Sequence, residues 1–221
     1  MAENDRICYV VGAMSLTPDL CPRPAPGDFV IGADRGFDAL MAYGVTPDLA
    51  IGDFDSLGHR PDHHSVIELP VDKDDTDMTS ALRQGLDRGY RRFVMLGGVG
   101  GRMDHTVANF QLLDFLAARG AQGFLAGEKL AATAVRNGTF SFPAAMSGGL
   151  AVFCNSGRAE GVTMRGVKYT LTDAVLTGDY PMGVSNRFIG RQGFISVREG
   201  SLILMWEEES FYSVMPRLWM E

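Results

Sequence analysis

The chain has 221 residues, of which 46% are hydrophobic, enough for one large domain or two smaller domains with separate cores. Its formal net charge is −7, which argues against a protein that coats nucleic acid. The three cysteines (Cys8, Cys21 and Cys154) are odd in number and far apart, so neither a disulfide framework nor a zinc cage is indicated. A polar amino terminus and the lack of a membrane-length apolar run predict a cytoplasmic protein without a membrane span.

The first part of the chain predicts strands that alternate with helices. Short apolar runs predict strands at residues 7–11, 29–31, 49–51, 66–69 and 93–96. Apolar residues at helical spacing predict helices at residues 37–43, from residue 78 to a stop at Gly89, and at 106–118. This alternation predicts a Rossmann-like, mostly parallel sheet with flanking helices over residues 1–127.

The pattern changes near Glu128 to short β-rich runs with frequent turn residues. Asn137-Gly138 separates runs 132–136 and 139–142 and predicts a hairpin, and Gly200 predicts a turn between runs 194–197 and 201–206. Residues 162–171 are also β-rich. Short strands with frequent turns predict a C-terminal all-β sandwich over residues 128–221.

Asp53 and Asp55 follow the predicted strand at residues 49–51 and are the first candidates for chemistry. In extended backbone, residues two apart point to the same side, so both carboxylates would face one spot. Two carboxylates about 4 Å apart repel by roughly 4 kcal/mol at an effective dielectric of about 20, and a cation between them relieves that repulsion. Oxygen ligands at a strand end suit Mg²⁺. The alternative is that one aspartate caps the next turn while the other is solvated.

Three further polar clusters follow predicted strands. They are Asp34-Arg35-Gly36, the acidic run at residues 73–77, and the glycine-rich loop at residues 97–101 that leads into Arg102-Met-Asp-His105. Turn formation and helix capping are the simpler explanations for each cluster alone. A glycine-rich turn that enters a helix also offers backbone N–H groups to a phosphate, although the loop is neither a Walker A nor a G-x-G-x-x-G sequence. Because ligands of open α/β sheets bind outside the carboxyl ends of the strands, the four clusters together predict a binding site.

With these residues assembled, the chain closely resembles the thiamine pyrophosphokinase family. The matching segments lie in family order and span nearly the whole chain: residues 32–36, 47–56, 73–77, 97–105 with Asn109, 166–171 and 183–186. One departure is Arg187, where many members have an acidic residue. The resemblance implies a homodimer with sites at the interface, and Mg²⁺-dependent transfer of a pyrophosphoryl group from ATP to the hydroxyl of thiamine, which releases AMP.

The resemblance also implies roles for individual residues, all named by their numbers here. The implied Mg²⁺ ligands are Asp34, Asp53, Asp55 and Asp77. The implied catalytic residues are Asp53, Asp55, Asp77 and Asp104. Implied nucleotide and phosphate contacts are Arg35, Ser56, Lys73, Thr76, Gly100, Gly101, Arg102, Asp104 and His105. Implied thiamine contacts are Ser185, Asn186 and Trp206, although a tryptophan on the last strand is equally explained as a core or rim aromatic.

The chemistry of these residues agrees with that function. Pyrophosphoryl transfer needs neutralised phosphate charge and aligned oxygens more than it needs a strong base. Either Asp104 or a metal-bound group could be the general base that accepts the proton of the thiamine hydroxyl. Two alternative functions remain: another Mg²⁺-dependent phosphotransferase of the same fold, and a thiamine or nucleotide sensor without catalysis.

Overall fold

The computed structural model describes residues 5–14, 16–208 and 211–219 of a mixed α/β fold with a large sheet. The chain divides into two compact units. The first comprises Met1–Asn109 with Leu125–Gly127, and the second comprises Phe110–Phe124 with Glu128–Glu221. In the part of the chain that the structure describes, no helix is both long enough and apolar enough to cross a membrane.

The first unit alternates strands and helices, as the sequence predicts. Its elements are β1 (Ile7–Val11), β2 (Phe29–Ala33), α1 (Gly36–Ala42), β3 (Leu49–Gly52), β4 (Val66–Glu68), α2 (Asp77–Asp87) and β5 (Arg92–Leu96). Helix α3 (Met103–Ala117) begins in this unit and continues into the second, whereas β6 (Gln122–Gly127) begins in the second and ends in the first. Predicted and observed bounds differ by three residues at most, and the largest difference is at the start of α3.

The strands of the first unit are parallel and lie in the order β4-β3-β2-β1-β5. From β1 the chain adds β2, β3 and β4 on one side, and then returns to add β5 on the other. Residues 8–11 of β1 and 93–96 of β5 are completely buried or nearly so, which explains why these strands are continuous apolar runs. The strand order therefore reverses between β1 and β5, the position where such sheets bind ligands.

The second unit is built mainly from antiparallel strands. They are β7 (Leu130–Phe142), β8 (Gly149–Cys154), β9 (Arg158–Arg165), β10 (Leu171–Thr177), β11 (Gly183–Arg187) and β12 (Gly193–Trp206), followed by α4 (Phe211–Val214) and a 3-10 helix (Met215–Arg217). The long β12 pairs with β7 on one side; on the other it pairs first with β9 and then with β8. Strand β10 pairs with β9, and β11 pairs with β8, both in antiparallel orientation.

The two turns predicted at Asn137-Gly138 and Gly200 are wrong, because both sites lie inside continuous strands. Strands β7 and β12 run past each other, and their register shifts between Val197 and Ser201, opposite Asn137. Asn137 has φ 46° and Gly200 has φ 106°, and the Gly200 N–H donates to Asn137 Oδ1 at 2.9 Å. The turn-forming residues therefore build a bulge in a long strand pair, since a bulge needs the same left-handed backbone as a hairpin.

The β-rich run at residues 162–171 is also interrupted. Strand β9 ends at Arg165, Gly166 adopts φ 71°, and β10 begins only at Leu171. Between them Val167 forms an isolated antiparallel bridge with Phe188. A Cβ on Gly166 would lie 1.9 Å from the Gln192 carbonyl oxygen, so only glycine fits where the chain leaves the strand.

Candidate active site

A cavity lies at the switch point of the parallel sheet, inside the first unit. Its lining comes from the segments that follow β1, β2 and β5 and from the first turns of α2 and α3: Gly12, Ala13, Met14, Ala33, Asp34, Thr76, Asp77, Met78, Gly97, Gly98, His105 and Asn109. Among them are four residues predicted for the site, namely Asp34, Thr76, Asp77 and His105. The parallel sheet brings them together because the carboxyl ends of its strands share one edge.

The segment after β1 is the part of this cavity that sequence reasoning missed. Gly12 N–H donates to the Leu96 carbonyl at 2.8 Å, and Met14 N–H donates to the Gly97 carbonyl at 2.9 Å. A Cβ on Gly12 would lie 2.8 Å from the Gly97 carbonyl oxygen, so the two strand ends approach too closely for a side chain there. A glycine directly after a buried strand was the signal available in the sequence.

Asp53 and Asp55 come close to each other, but not through the extended backbone that the sequence predicts. Strand β3 ends at Gly52, and Phe54 between the two aspartates has φ 60°. The Phe54 side chain is 5% exposed and packs with Phe37 and Ala50, which anchors the loop. The Asp55 N–H donates weakly to Asp53 Oδ1 at 3.4 Å. A buried aromatic therefore holds the acidic pair in a tight turn.

Lys73 lies between two of the predicted acidic residues. Its Nζ donates to Asp53 Oδ2 at 2.5 Å and lies 3.1 Å from Asp77 Oδ1. The ammonium group holds the pKa of Asp53 below its ordinary value, whereas burial raises the pKa of Asp77 against the opposing effect of Lys73. Burial lowers the pKa of Lys73, but Asp53 and Asp77 together outweigh it and raise that pKa.

Asp55 is the exposed member of the acidic group. The hydrogen bond and charge of Asp53 raise the pKa of Asp55 above its ordinary value. The direction of this shift means that a second negative charge is unfavourable at this turn, as the repulsion argument predicts.

Asp34 and Asp77 both present buried oxygens without a hydrogen-bond partner. Asp34, in a left-handed conformation with φ 50° at the end of β2, accepts a hydrogen bond from Ser56 Oγ through Oδ2, while its Oδ1 is unpartnered. Asp77 Oδ1 makes no hydrogen bond, although Lys73 is close to it. An unpartnered buried carboxylate oxygen is rare and costly, so Asp34 Oδ1 identifies where a cation or a polar ligand would be stabilised, whereas Asp77 Oδ1 is paired with the Lys73 charge.

Within the described residues, no group of three or more His, Cys, Asp or Glu side chains is already arranged to hold a metal ion. Lys73 provides the positive charge between Asp53 and Asp77 instead. The available donors are nevertheless all carboxylate oxygens, the type that hard cations such as Mg²⁺ prefer, and Asp34 Oδ1 has no hydrogen-bond partner. The residues present therefore fit a magnesium ion.

The glycine-rich loop is fixed by the start of α3. Asn109, 7% exposed, donates from Nδ2 to the Gly98 carbonyl at 2.7 Å, and the Gly100 N–H donates to Thr106 Oγ1 at 3.1 Å. Gly97, Gly100 and Gly101 all have left-handed φ values between 58° and 91°. The loop is thus preorganised, although Gly100 and Gly101 do not line the cavity.

Arg102 and Asp104 pair with each other outside the cavity. The guanidinium forms two hydrogen bonds with the Asp104 carboxylate, at 3.2 Å and 2.5 Å, and both side chains are more than 60% exposed. The Arg102 charge lowers the pKa of Asp104 to about 2. A carboxylate with so low a pKa is a weak base.

A second cavity adjoins the first and shares Ala13 and Met14 with it. Its remaining lining includes Arg35, Asp38, Ser56 and Leu57. Two further residues predicted to contact nucleotide, Arg35 and Ser56, thus lie beside the switch-point cavity.

The three predicted thiamine residues all lie in the second unit. Ser185 is exposed on β11 with φ 61°. The Asn186 side chain is 5% exposed and makes hydrogen bonds to the backbone of Tyr169 and Arg187. Trp206 is 1% exposed and packs edge-on against Phe124 and Phe142. Asn186 and Trp206 therefore have structural roles in the described chain, and their contact with thiamine stays a prediction.

Comparisons with known proteins agree with this architecture. The family description "Thiamin pyrophosphokinase, catalytic domain" matches residues 26–122, and "Thiamin pyrophosphokinase, vitamin B1 binding domain" matches residues 143–202. The thiamine pyrophosphokinase of Bacillus subtilis is 27% identical over 208 residues, which cover 88% of this chain and 94% of that protein.

Two solved structures extend the comparison to the fold. The crystal structure of thiamine pyrophosphokinase from Bacillus subtilis has a TM-score of 0.81 at 24% identity and covers 92% of this chain and 100% of its own. The crystal structure of thiamin pyrophosphokinase from Geobacillus thermodenitrificans has a TM-score of 0.77 at 29% identity and covers 92% of this chain and 98% of its own.

Fold and site define an α/β protein with an acidic, glycine-rich cleft at the switch point of a parallel sheet. With two family descriptions matched in order along the chain, the more particular assignment follows. The chain belongs to the thiamine pyrophosphokinase family.

Proposed function

We propose that the chain is a thiamine diphosphokinase, which transfers a pyrophosphoryl group from ATP to the hydroxyl of thiamine and releases AMP. The observation that supports this most directly is that one chain matches both the catalytic and the vitamin B1 binding descriptions. The contacts of Asp53 and Asp77 with Lys73, together with the presence of Asp77 in the lining of the switch-point cavity, support a reaction site there.

Asp34, Asp53, Asp55 and Asp77 are the residues that would hold Mg²⁺. The unpartnered Oδ1 of buried Asp34 supports this proposal. When bound, Mg²⁺ supplies neutralisation of the phosphate charge. Lys73 would then be free to turn toward a phosphate oxygen, since the metal replaces its charge between the carboxylates.

The nucleotide would occupy the two adjoining cavities of about 90 and 360 Å³. Pockets of a few hundred Å³ are typical of small-molecule sites. Arg35, Ser56, Thr76 and His105 line them, and the fixed glycine-rich loop offers the N–H groups of Gly100 and Gly101 beside the entrance to α3. Arg102 lies in the same loop, where its exposed guanidinium would meet phosphate oxygens.

The finer organisation is part of the same proposal. Residues 1–127 would form a Rossmann-like nucleotide- and Mg²⁺-binding catalytic domain, and residues 128–221 would form a β-sandwich that binds thiamine through Ser185, Asn186 and Trp206. Parallel strands in the first unit and antiparallel strands in the second support two domains of these kinds, with residues 110–124 grouped with the second unit. The three cysteines are free thiols, which supports a reducing, cytoplasmic location.

A homodimer with its sites at the interface also belongs to this proposal. Large apolar side chains of the second unit are exposed in the single chain, among them Tyr180, Met182, Val184 and Ile189. Exposed apolar side chains in such number are typical of an interaction surface. Light scattering after size-exclusion chromatography would give twice the mass of the chain if the proposal is correct.

Incubation with thiamine, ATP and Mg²⁺, followed by chromatography of nucleotides and thiamine esters, tests the function. Equal amounts of AMP and thiamine diphosphate are expected. ADP with thiamine monophosphate would change the reaction to single phosphoryl transfer, and phosphate release without an acceptor would indicate a hydrolase. Tight ligand binding without any product would favour the sensor.

The Asp55→Ala variant tests the acidic group in the same assay. We expect loss of product formation with the fold retained, because the substitution removes a metal ligand together with a like-charge repulsion against Asp53. Circular dichroism and thermal unfolding provide the control for folding. Turnover at the wild-type rate would exclude Asp55 from the metal site.

A further inference from the structure

Two cationic side chains of the second unit lie opposite each other without a counter-charge. The antiparallel bridge between Val167 and Phe188 brings Lys168 opposite Arg187, and the Lys168 N–H donates to the Arg187 carbonyl at 3.0 Å. Val167 and Phe188 point into the core at 1% and 7% exposure, so the next pair along the chain faces solvent on the other side. Lys168 and Arg187 therefore share one exposed face.

This arrangement is unfavourable unless something compensates it. Like charges directly opposite each other on an antiparallel pair are destabilising. In the described part of the chain, neither Lys168 nor Arg187 forms an ion pair with an acidic side chain. The carboxylate of Glu207 accepts a hydrogen bond through Oε2 from the N–H of Gly149, the residue opposite Arg187, and does not form an ion pair with either cation.

The backbone that carries the two cations is also held in place. The buried Asn186 side chain donates to the Tyr169 carbonyl at 2.7 Å and accepts from the Tyr169 N–H at 3.0 Å and the Arg187 N–H at 2.9 Å. It thereby clamps the residues that follow Lys168 to the strand that carries Arg187. The Lys168 ammonium group lies 4.9 Å from the centre of the Tyr169 ring, a cation–π contact. The fixed backbone keeps Lys168 and Arg187 opposite each other on the same face.

From this geometry we propose that Lys168 and Arg187 form an anion site for a phosphate or diphosphate group in the second unit. A diphosphate has oxygens for both cations, and a guanidinium can bind two of them at once. The group can come from free inorganic diphosphate or from a phosphorylated thiamine; the second source alone rests on the proposed function.

Calorimetric titration of the whole protein with inorganic diphosphate and, separately, with thiamine diphosphate tests the site without ATP or Mg²⁺. The variants are Lys168→Gln and Arg187→Gln, and the matched control is Arg217→Gln, which removes an exposed cation from the 3-10 helix of the same unit. Because each variant removes a charge-assisted contact, we expect about tenfold weaker binding in both, while the control is unchanged. Amide signals of residues 166–170 and 185–188 should shift during an NMR titration of the wild-type protein.

The two ligands distinguish the sources. A loss of affinity for inorganic diphosphate means that the free anion suffices, and a loss for thiamine diphosphate alone means that the ester is the ligand. Equal affinities of the wild-type protein and both variants for both ligands would overturn the site. Since no turnover is measured, the site can be confirmed even if the protein fails to transfer a pyrophosphoryl group.

Discussion

At the scale of single residues, the candidate site depends on carboxylates in different environments. Asp53 is hydrogen-bonded to Lys73 and has a lowered pKa, whereas burial raises the pKa of Asp77 and the charge of Asp53 raises that of Asp55. The sequence identified all three residues and Lys73. It could not show that Lys73 lies between Asp53 and Asp77, because that depends on how the loop after β4 returns to the end of β3.

Asp104 should remain ionised to unusually low pH. Arg102 lowers its pKa to about 2, so the stabilising effect of the pair is present above the ordinary carboxyl value and is lost as the pH falls through about 2. An NMR titration of the side-chain carboxyl carbon should show a midpoint near that value.

The Arg102→Ala variant should move the midpoint of Asp104 up to the ordinary range, because the cation that favours the charged form is gone. Arg158→Ala, which removes the partner of Glu160 in the other unit, serves as the control and should leave the Asp104 midpoint unchanged. A midpoint that is the same with and without Arg102 would contradict the pairing.

At the scale of elements, close backbone approaches decide the shape of the site. The end of β1 touches the end of β5 through Gly12 and Gly97, and Asn109 and Thr106 of α3 hold the glycine-rich loop. In the second unit, Asn137 and Gly200 bend a long strand pair. Both cases are contacts between elements far apart in the chain. Local sequence patterns therefore identify the glycines but do not predict which segments they contact.

Gly12→Ala should destabilise the protein and weaken nucleotide binding. The added Cβ would lie 2.8 Å from both the Gly97 carbonyl oxygen and Met78 Cε, an overpacking that costs about 1–3 kcal/mol. Urea unfolding and titration with a non-hydrolysable ATP analogue provide the two measurements. Gly178→Ala is the matched control, because the nearest atom to its Cβ is 3.5 Å away. Equal stability of the two variants would mean that the strand ends can separate without cost.

Substitutions at Asn137 should separate its hydrogen bond from its backbone conformation. Asn137→Gly keeps the left-handed backbone and loses only the bond to the Gly200 N–H, which costs about 1 kcal/mol. Asn137→Ala should cost about 1–2 kcal/mol more, since alanine is strained at positive φ. The midpoints of urea unfolding give the comparison. If the Asn137→Ala variant is at least as stable as the Asn137→Gly variant, the left-handed backbone of the bulge at this position is excluded.

At the scale of the whole molecule, the two compact units exchange segments of chain. Residues Phe110–Phe124 belong with the second unit although they precede the last strand residues of the first. Within this segment Asp114 accepts hydrogen bonds from Arg136, Asn155 and Ser201, and Phe124 is completely buried against Trp206. The second unit therefore needs a helix and half a strand that a division at residue 128 would remove.

A fragment of residues 103–221 should fold, whereas a fragment of residues 128–221 should not. The shorter piece loses Asp114 and Phe124, and with them the partners of buried Ser201 and of the aromatic cluster around Trp206. Dispersion of amide NMR signals and the cooperativity of thermal unfolding are the measurements. Cooperative folding of the shorter fragment would show that residues 110–124 are dispensable for this unit.

The alternating elements of the first unit, the β-rich second half and the family could all be predicted from the amino-acid sequence. These features are encoded locally, in apolar periodicity, glycines and short acidic motifs. Only the folded chain shows that Gly12 joins the site, that Lys73 lies between Asp53 and Asp77, and that Asn137-Gly138 and Gly200 bend strands instead of ending them. Each of these outcomes depends on a contact between distant segments. A glycine or asparagine with a left-handed backbone can form either a hairpin turn or a β-bulge. The strand that pairs with it decides which of the two forms.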